Sequence, residues 1–114
     1  MNDNPLISIT VCVRDGKEWI DGCLESLSNQ TYRPLEIIAV DDGSTDGSRE
    51  CLEKWHNPEG DIPIFVFAQD ALGLSAGRNL AVRKSKGEWV AITDIDVRPT
   101  QNWISNLYQK SHPV

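Results

Sequence analysis

Two carboxylates separated by one residue follow an apolar run near the end of the chain. The run is WVAIT at positions 89–93, and the carboxylates belong to Asp94 and Asp96. In an extended chain residues i and i+2 point to the same side, so we expect both carboxylates to face one spot just beyond a strand end. Like charges that close destabilise a fold unless a cation lies between them, and carboxylate oxygens suit Mg²⁺ or Mn²⁺. The pair is therefore a candidate metal site; the alternative is that it caps the helix after Pro99 or lies in a solvated turn.

The elements that must position these carboxylates alternate in type along the chain. Runs of β-branched residues predict strands, and apolar side chains at helical spacing predict helices. The predicted strands are 6–13, 35–40, 62–68 and 88–93, and the predicted helices are 17–29, a short one around 51–55, 73–86 and 99–110. Strands that alternate with helices predict a parallel sheet with right-handed crossovers.

Polar residues follow three of the four predicted strands. Arg14 and Asp15 follow the first, Asp41 and Asp42 follow the second, and the acidic pair described above follows the fourth. The carboxyl ends of parallel strands lie on one rim of the sheet, which is where such folds bind their ligands. This convergence favours a binding site over a helix cap.

Composition limits the classes of function. The 114 residues suit one domain, and 25% charged with 39% hydrophobic residues is ordinary for a soluble protein. The net charge of -6 argues against nucleic acid as a partner, because no basic stripe is available to neutralise phosphates. No apolar run approaches the roughly 18 residues that cross a bilayer, so any membrane segment would lie outside this chain. Three cysteines without CxxC spacing (Cys12, Cys23 and Cys51) favour buried thiols in a reducing, cytoplasmic protein.

A series of short motifs runs through nearly the whole chain, from about residue 7 to residue 107. In order they are LESL at 24–27, QTY at 30–32, EIIAVDDGSTD at 36–46, Gly73, AGRN at 76–79, KGEWV at 86–90 and DID at 94–96. In this order they resemble the amino-terminal half of a family-2 glycosyltransferase, an inverting nucleotide-sugar enzyme. The resemblance implies an α/β fold: the three-layer, Rossmann-like half of a GT-A domain with a mainly parallel sheet.

The resemblance also implies roles in binding the nucleotide of a sugar donor. Asp42 would accept a hydrogen bond from the edge of uracil or another base, and Asp41 would support it or touch the ribose. Arg78 and Asn79 match an Arg-Asn pair that lies near the donor in the family. Arg14 departs from the pattern, because it falls where an aromatic residue often stacks on the base. An arginine can also stack, and the departure leaves the choice of nucleotide open.

The acidic pair would serve the diphosphate. By the same resemblance Asp94 would contact the ribose or the sugar, and Asp96 would ligate Mn²⁺ or Mg²⁺ bridging the diphosphate, with Asp94 beside the metal. The implied reaction is transfer of a sugar from a nucleoside-diphosphate sugar, UDP-linked by expectation, to an acceptor hydroxyl. A bound metal would stabilise the charge that develops on the leaving diphosphate.

The chain ends soon after this pair. In the family, the acceptor-binding part and the carboxylate that acts as general base lie further on, so we expect residues 1–114 to form the donor-binding half as a single domain. The acceptor would be a saccharide or a lipid-linked glycan, met in the cytoplasm or at the inner face of the membrane. Apolar surface left uncovered would favour self-association. The alternative is a non-catalytic module that only binds a nucleotide sugar.

Two unrelated classes share parts of this pattern. Acids at Asp42, Asp46 and Glu53 with Gly47 nearly fit an EF-hand loop, but that motif needs a preceding helix and 35–40 is predicted as a strand. A phosphoacceptor receiver domain has a similar length and an acidic Mg²⁺ cluster. There the acidic pair follows the first strand and a lysine follows a fifth, whereas here the pair follows the second and no fifth strand is predicted.

Overall fold

The strands and helices predicted from the sequence form in the predicted order. The computed structural model describes residues 4–111. The strands are β1 (Ile7–Val13), β2 (Leu35–Asp42), β3 (Ile64–Gln69) and β4 (Trp89–Asp94), and the helices are α1 (Lys17–Ser28), α2 (Ser48–Glu53), α3 (Leu74–Lys84) and α4 (Trp103–Ser111). Between residues 4 and 111, no helix has both the length and the apolar character that a membrane span requires.

The four strands form one sheet in the order β3-β2-β1-β4, and all neighbouring pairs are parallel. The register aligns the ends of the strands: Val13 pairs with Asp41, Cys12 with Asp94. The carboxyl ends of β1, β2 and β4 therefore lie along one rim, as the alternating pattern predicted. Within the described residues β4 is an edge strand that pairs only with β1, and no fifth strand forms, which argues against the receiver alternative.

The sheet separates two apolar layers. Side chains on one face pack with α1, α2 and α4, and those on the other face pack with α3, which gives the predicted three layers. Alternate residues of β2 divide between them, since Ile37 belongs to the first layer and Ile38 to the second. Each fully buried side chain of this kind contributes roughly 1.5–3 kcal/mol through the hydrophobic effect.

Most elements begin or end one to four residues away from the predicted positions, and three of these differences affect the ends of β2, β3 and α4. β2 continues through Asp41 and Asp42, so this acidic pair ends the strand rather than opening the turn. β3 begins at Ile64, because Pro63 has no N–H to give to the sheet, although its carbonyl accepts a bond of 2.9 Å from Ile37 N–H. The last helix begins at Trp103 rather than at residue 99, and the segment before it is irregular.

Candidate functional site

The carboxyl ends of β1 and β4 border a polar pocket of about 360 Å³. Its charged lining consists of two arginines and three aspartates: Arg14, Asp15, Arg78, Asp94 and Asp96. Positive and negative groups around one opening can hold an anionic ligand and a cation together, because each ion finds the opposite charge. The predicted convergence of the first and fourth strand ends is confirmed by this lining.

The acidic pair reaches the pocket by a different geometry from the one predicted. β4 ends at Asp94, and the N–H of Val97 donates to the Asp94 carbonyl at 3.1 Å, which closes a turn. The premise that Asp96 continues an extended strand is therefore wrong. Both carboxylates nevertheless line the same pocket, since the turn brings Asp96 back to the side on which Asp94 lies.

These carboxylates fit a metal ion that is shared with a ligand. In residues 4–111 no group of three or more His, Cys, Asp or Glu side chains is arranged to hold a metal by itself. Mg²⁺ and similar ions commonly bind through one or two carboxylates, with phosphate oxygens and water completing the shell. The carboxylates of Asp94 and Asp96 line this pocket, so phosphate oxygens or water would have to complete the shell of any metal bound there.

Arg78 already pairs with one member of the acidic pair. Its Nη2 lies 3.1 Å from Asp94 Oδ1, and both side chains are substantially exposed. Ion pairs exposed in this way contribute little to stability and exchange partners readily. The contact keeps a positive charge at the pocket without burying either group, so Arg78 remains accessible to an anionic ligand.

Asp42 is fully buried and holds a neighbouring loop. Its Oδ1 accepts hydrogen bonds from Gln69 Nε2 at 2.9 Å and from the N–H of Leu72 at 2.8 Å, and its Oδ2 accepts one from the N–H of Gly73 at 3.1 Å. Burial alone would raise the pKa of Asp42, but these hydrogen bonds and the charge of Arg14 outweigh it and lower the pKa below its usual value. Asp42 therefore stays ionised while it fixes the segment that leads into α3.

Asp41 faces the opposite side of the sheet and keeps one carboxylate oxygen free. Its Oδ2 accepts the N–H of Ser44 at 3.1 Å, whereas its buried Oδ1 has no hydrogen-bond partner among the described residues. Neither Asp41 nor Asp42 lines the pocket, and Asn79, which is exposed on α3, does not line it either. The structure thus brings together Arg14, Arg78 and the acidic pair but leaves these three predicted residues around them.

The turns after β1 and β2 are joined by hydrogen bonds. The N–H of Asp15 donates to Ser44 Oγ at 2.8 Å, and the N–H of Thr45 donates back to Asp15 Oδ1 at 2.8 Å. Asp46 accepts bonds from the Ser48 hydroxyl and the Lys17 N–H, and the hydroxyl is the main cause of a lowered pKa at Asp46. Asp15 and Asp46 therefore stabilise the turns after β1 and β2 by accepting hydrogen bonds between them. Because a strand also precedes them, the EF-hand alternative is wrong.

Five uncharged residues line the pocket and were not predicted as site residues from the sequence: Cys12, Gly16, Trp19, Leu74 and Ile95. Trp19, on the first turns of α1, is 39% exposed and forms part of the wall, and Leu74 at the start of α3 forms another part. Cys12 is a half-buried thiol whose pKa is raised to about 11, first by burial and then by the charge of Asp42, so it remains neutral at pH 7. The sequence feature that could have identified them is their position, because each lies near the carboxyl end of a strand.

Comparison with known families and sequences gives a consistent result. The profile of the family described as Glycosyl transferase family 2 matches residues 8–112. The chain is 36% identical over 104 residues to Glycosyltransferase GlyA of Streptococcus pneumoniae, covering 91% of this chain and 15% of that protein. It is 35% identical over 105 residues to a cholesterol galactosyltransferase of Borreliella burgdorferi, covering 92% of this chain and 29% of that protein. The chain thus spans less than a third of either relative.

Solved structures share the fold. A mannosyltransferase, PcManGT from Pyrobaculum calidifontis, determined in complex with GDP-Man and Mn²⁺, superposes with a TM-score of 0.83 and 27% identity, covering 93% of this chain and 32% of that chain. TarS 1–349 of S. aureus in complex with UDP superposes with a TM-score of 0.77 and 25% identity, again covering 93% of this chain and 32% of that chain.

Proposed function

The chain belongs to glycosyl transferase family 2, and from that membership we propose that it binds a nucleoside-diphosphate sugar, with UDP as the expected nucleotide. Its sheet, with helices on both faces, forms the three-layer, Rossmann-like part of a GT-A domain. The whole protein would transfer the sugar to an acceptor hydroxyl with inversion at the anomeric carbon. The complexes of PcManGT with GDP-Man and of TarS with UDP, described above, support a nucleotide-sugar ligand.

The observation that carries this proposal is the composition of the pocket. Arg14 and Arg78 line the pocket together with Asp94 and Asp96, at the carboxyl rim of a parallel sheet. A nucleoside diphosphate carries negative charge that the arginines would bind, while the aspartates would bind the cation that accompanies it. A pocket made only for a sugar would need no such charges.

Each residue has a proposed task in this ligand complex. Asp96, with Asp94 beside it, would hold Mn²⁺ or Mg²⁺, which would supply stabilisation of the charge on the leaving diphosphate. Arg78 would turn from Asp94 towards a phosphate oxygen once a metal neutralises that carboxylate. Arg14 would lie against the base or the diphosphate.

The residues around the pocket would read the nucleoside. Asp42 would accept a hydrogen bond from the base edge at Oδ2, which carries a single bond from Gly73, after the segment at Leu72 shifts. Asp41 would offer its free oxygen to the base or the ribose. Asn79 would lie near the donor beside Arg78.

The remainder of the reaction is proposed to lie outside these residues. The chain covers 15% and 29% of the two relatives described above, and we assign the general base and the acceptor site to further sequence. The acceptor would be a saccharide or a lipid-linked glycan. Three free cysteines support a reducing, cytoplasmic location, at which the inner membrane face would be accessible.

Binding of UDP, measured by calorimetry with and without Mn²⁺, tests this function. We expect Mn²⁺ to strengthen UDP binding by the wild-type protein. Asp96→Ala should weaken the Mn²⁺-dependent binding by more than about tenfold, because it deletes a proposed ligand of the metal. The matched control is Glu59→Ala, which removes an exposed acid from the loop before β3, away from the pocket. Equal metal dependence in wild type and Asp96→Ala would contradict the assignment of the metal.

A further inference from the structure

One face of α1 packs against the turn that begins at Asp94. Trp19, Gly22 and Cys23 are three and four residues apart on the helix and share this face. The Cys23 thiol donates to the Asp94 carbonyl at 3.8 Å. The guanidinium carbon of Arg98, which follows the turn, lies 5.7 Å from the centre of the Trp19 ring. The acidic turn is thus held to α1 at two points.

Gly22 provides the space that the Arg98 guanidinium fills. A Cβ atom on Gly22 would lie 2.2 Å from Arg98 Nε and 2.3 Å from Arg98 Nη2. No real side chain tolerates such distances, so only glycine at this position lets the guanidinium lie against the helix. The blocking atoms form the far end of a flexible side chain, and a Cβ there would displace the guanidinium rather than the helix.

Among residues 4–111, no carboxylate forms an ion pair with Arg98 that would explain its position. In the described part of the chain the ion pairs are those of Arg33, Arg49 and Arg78, and none includes Arg98. Its charge nevertheless lies near the acidic turn. The guanidinium lies over Trp19 and against Gly22, on the face of α1 that also contacts the Asp94 carbonyl through Cys23.

We propose that Arg98 is a positioning residue for the metal–diphosphate site. Its guanidinium fills the space beside Gly22, here called the Gly22 notch, and lies over Trp19. It thereby fixes both the turn that carries Asp96 and the Trp19 side chain that forms part of the pocket wall. This role rests on the proposed donor binding. Arg98 does not line the pocket itself, so it acts through Asp96 and Trp19 and not by touching the ligand.

Gly22→Ala is the variant that separates positioning from folding. Alanine favours the helix more than glycine does, so the thermal midpoint should be unchanged or higher while the guanidinium loses its place. Arg98→Lys keeps the charge but cannot lie flat on the indole or in the notch. Glu25→Ala, an exposed change elsewhere on α1, is the matched control.

The readouts are calorimetry of UDP with and without Mn²⁺, and hydrogen exchange of the Val97 amide, which closes the turn. For Gly22→Ala and Arg98→Lys we expect about tenfold weaker Mn²⁺-dependent binding, the lower end of the loss seen when a group that orients metal ligands is removed. Metal-free binding should change little, and Val97 exchange should be faster. Glu25→Ala should match wild type in both measurements.

The outcomes distinguish this role from the proposed function. Wild-type protein that binds no nucleotide with Mn²⁺ would overturn the proposed function and the positioning role with it. Wild-type binding that Gly22→Ala and Arg98→Lys leave unchanged would overturn the positioning role alone. A third outcome is that Arg98→Lys weakens binding in proportion to a loss of thermal stability, while Gly22→Ala leaves binding unchanged. That outcome would show that Arg98 only supports the fold.

Discussion

Asp42 and Asp94 are both the last residue of a strand, yet their surroundings are opposite. Asp42 has no exposed surface and accepts three hydrogen bonds, two of them from backbone N–H groups. The Asp94 side chain is 62% exposed and pairs with Arg78 alone among the described arginines and lysines. A carboxylate with exchangeable contacts can take up a metal, whereas one with buried contacts holds backbone in place. Residue type alone therefore does not separate the two roles.

Asp42→Asn should destabilise the protein. An amide has one acceptor oxygen and presents an NH₂ group to backbone N–H donors, so we expect a loss of about 2 kcal/mol or more in the free energy of unfolding. Denaturant unfolding at pH 7 measures this loss. Asp70→Asn, an exposed aspartate just after β3, should change stability by less than about 0.5 kcal/mol, and equal effects would contradict the structural role of Asp42.

The same measurement across pH checks the sign of the effect. The pKa of Asp42 in the folded protein is lowered from the usual 3.8, so the ionised carboxylate stabilises the fold above that value. Stability should be lost as the pH falls through 3.8 towards the folded pKa, and the difference between wild type and Asp42→Asn should shrink over this range. A difference that persists at still lower pH would show that charge is not its source.

At the scale of elements, α3 connects the candidate site to the sheet. Its N-terminal segment is held by Asp42, it carries Arg78 to the pocket, and its small residues Gly77 and Ala81 are buried against the sheet. The close approach is tightest at Gly77, where a Cβ atom would lie 2.2 Å from Cys12 Sγ. The position of Arg78 in the pocket therefore depends on how closely α3 packs on β1.

Gly77→Ala should move α3 away from β1. Overpacking of this kind costs about 1–3 kcal/mol, and contact with a strand-borne sulfur places the expected cost at the upper end. Adding Cys12→Ala removes the sulfur, after which the atoms nearest to the new methyl group, the Cβ at position 12 and Gln69 Nε2, lie at 3.5 Å. The double variant should regain most of the stability in denaturant unfolding. Simple additivity of the two single effects would contradict a direct contact between positions 12 and 77.

The order of elements and the rim could be predicted because they depend on local patterns. The β-branched runs and helical spacings are visible along the chain, and parallel pairing then brings the strand ends together. The burial of Asp42 could not be predicted, since its partners Leu72 and Gly73 lie about thirty residues away. The turn at Asp94 contacts Cys23 of α1, and Arg98 lies over the ring of Trp19 on the same helix. Neither tertiary contact could be predicted from a local pattern in the sequence.

At the scale of the whole molecule, the exposed edge of the sheet is the main open feature. Within residues 4–111, β4 has one neighbour only, and its side chains Val90 and Ile92 are 37% and 54% exposed. Unpaired edges with apolar side chains favour pairing with further strands or other chains. Self-association, expected from the sequence, stays a prediction, and further sequence of the kind that the longer relatives carry could cover the same edge.

Paramagnetic broadening by Mn²⁺ in an NMR spectrum of the protein with UDP tests the central claim most directly, because it locates the metal. We predict that the amide signals of Arg14, Asp94 and Asp96 broaden, that those of the loop at 57–61 stay sharp, and that Asp96→Ala abolishes the effect. Broadening centred on the turn at 43–47, or equal broadening in wild type and Asp96→Ala, would contradict a metal–nucleotide site at this pocket.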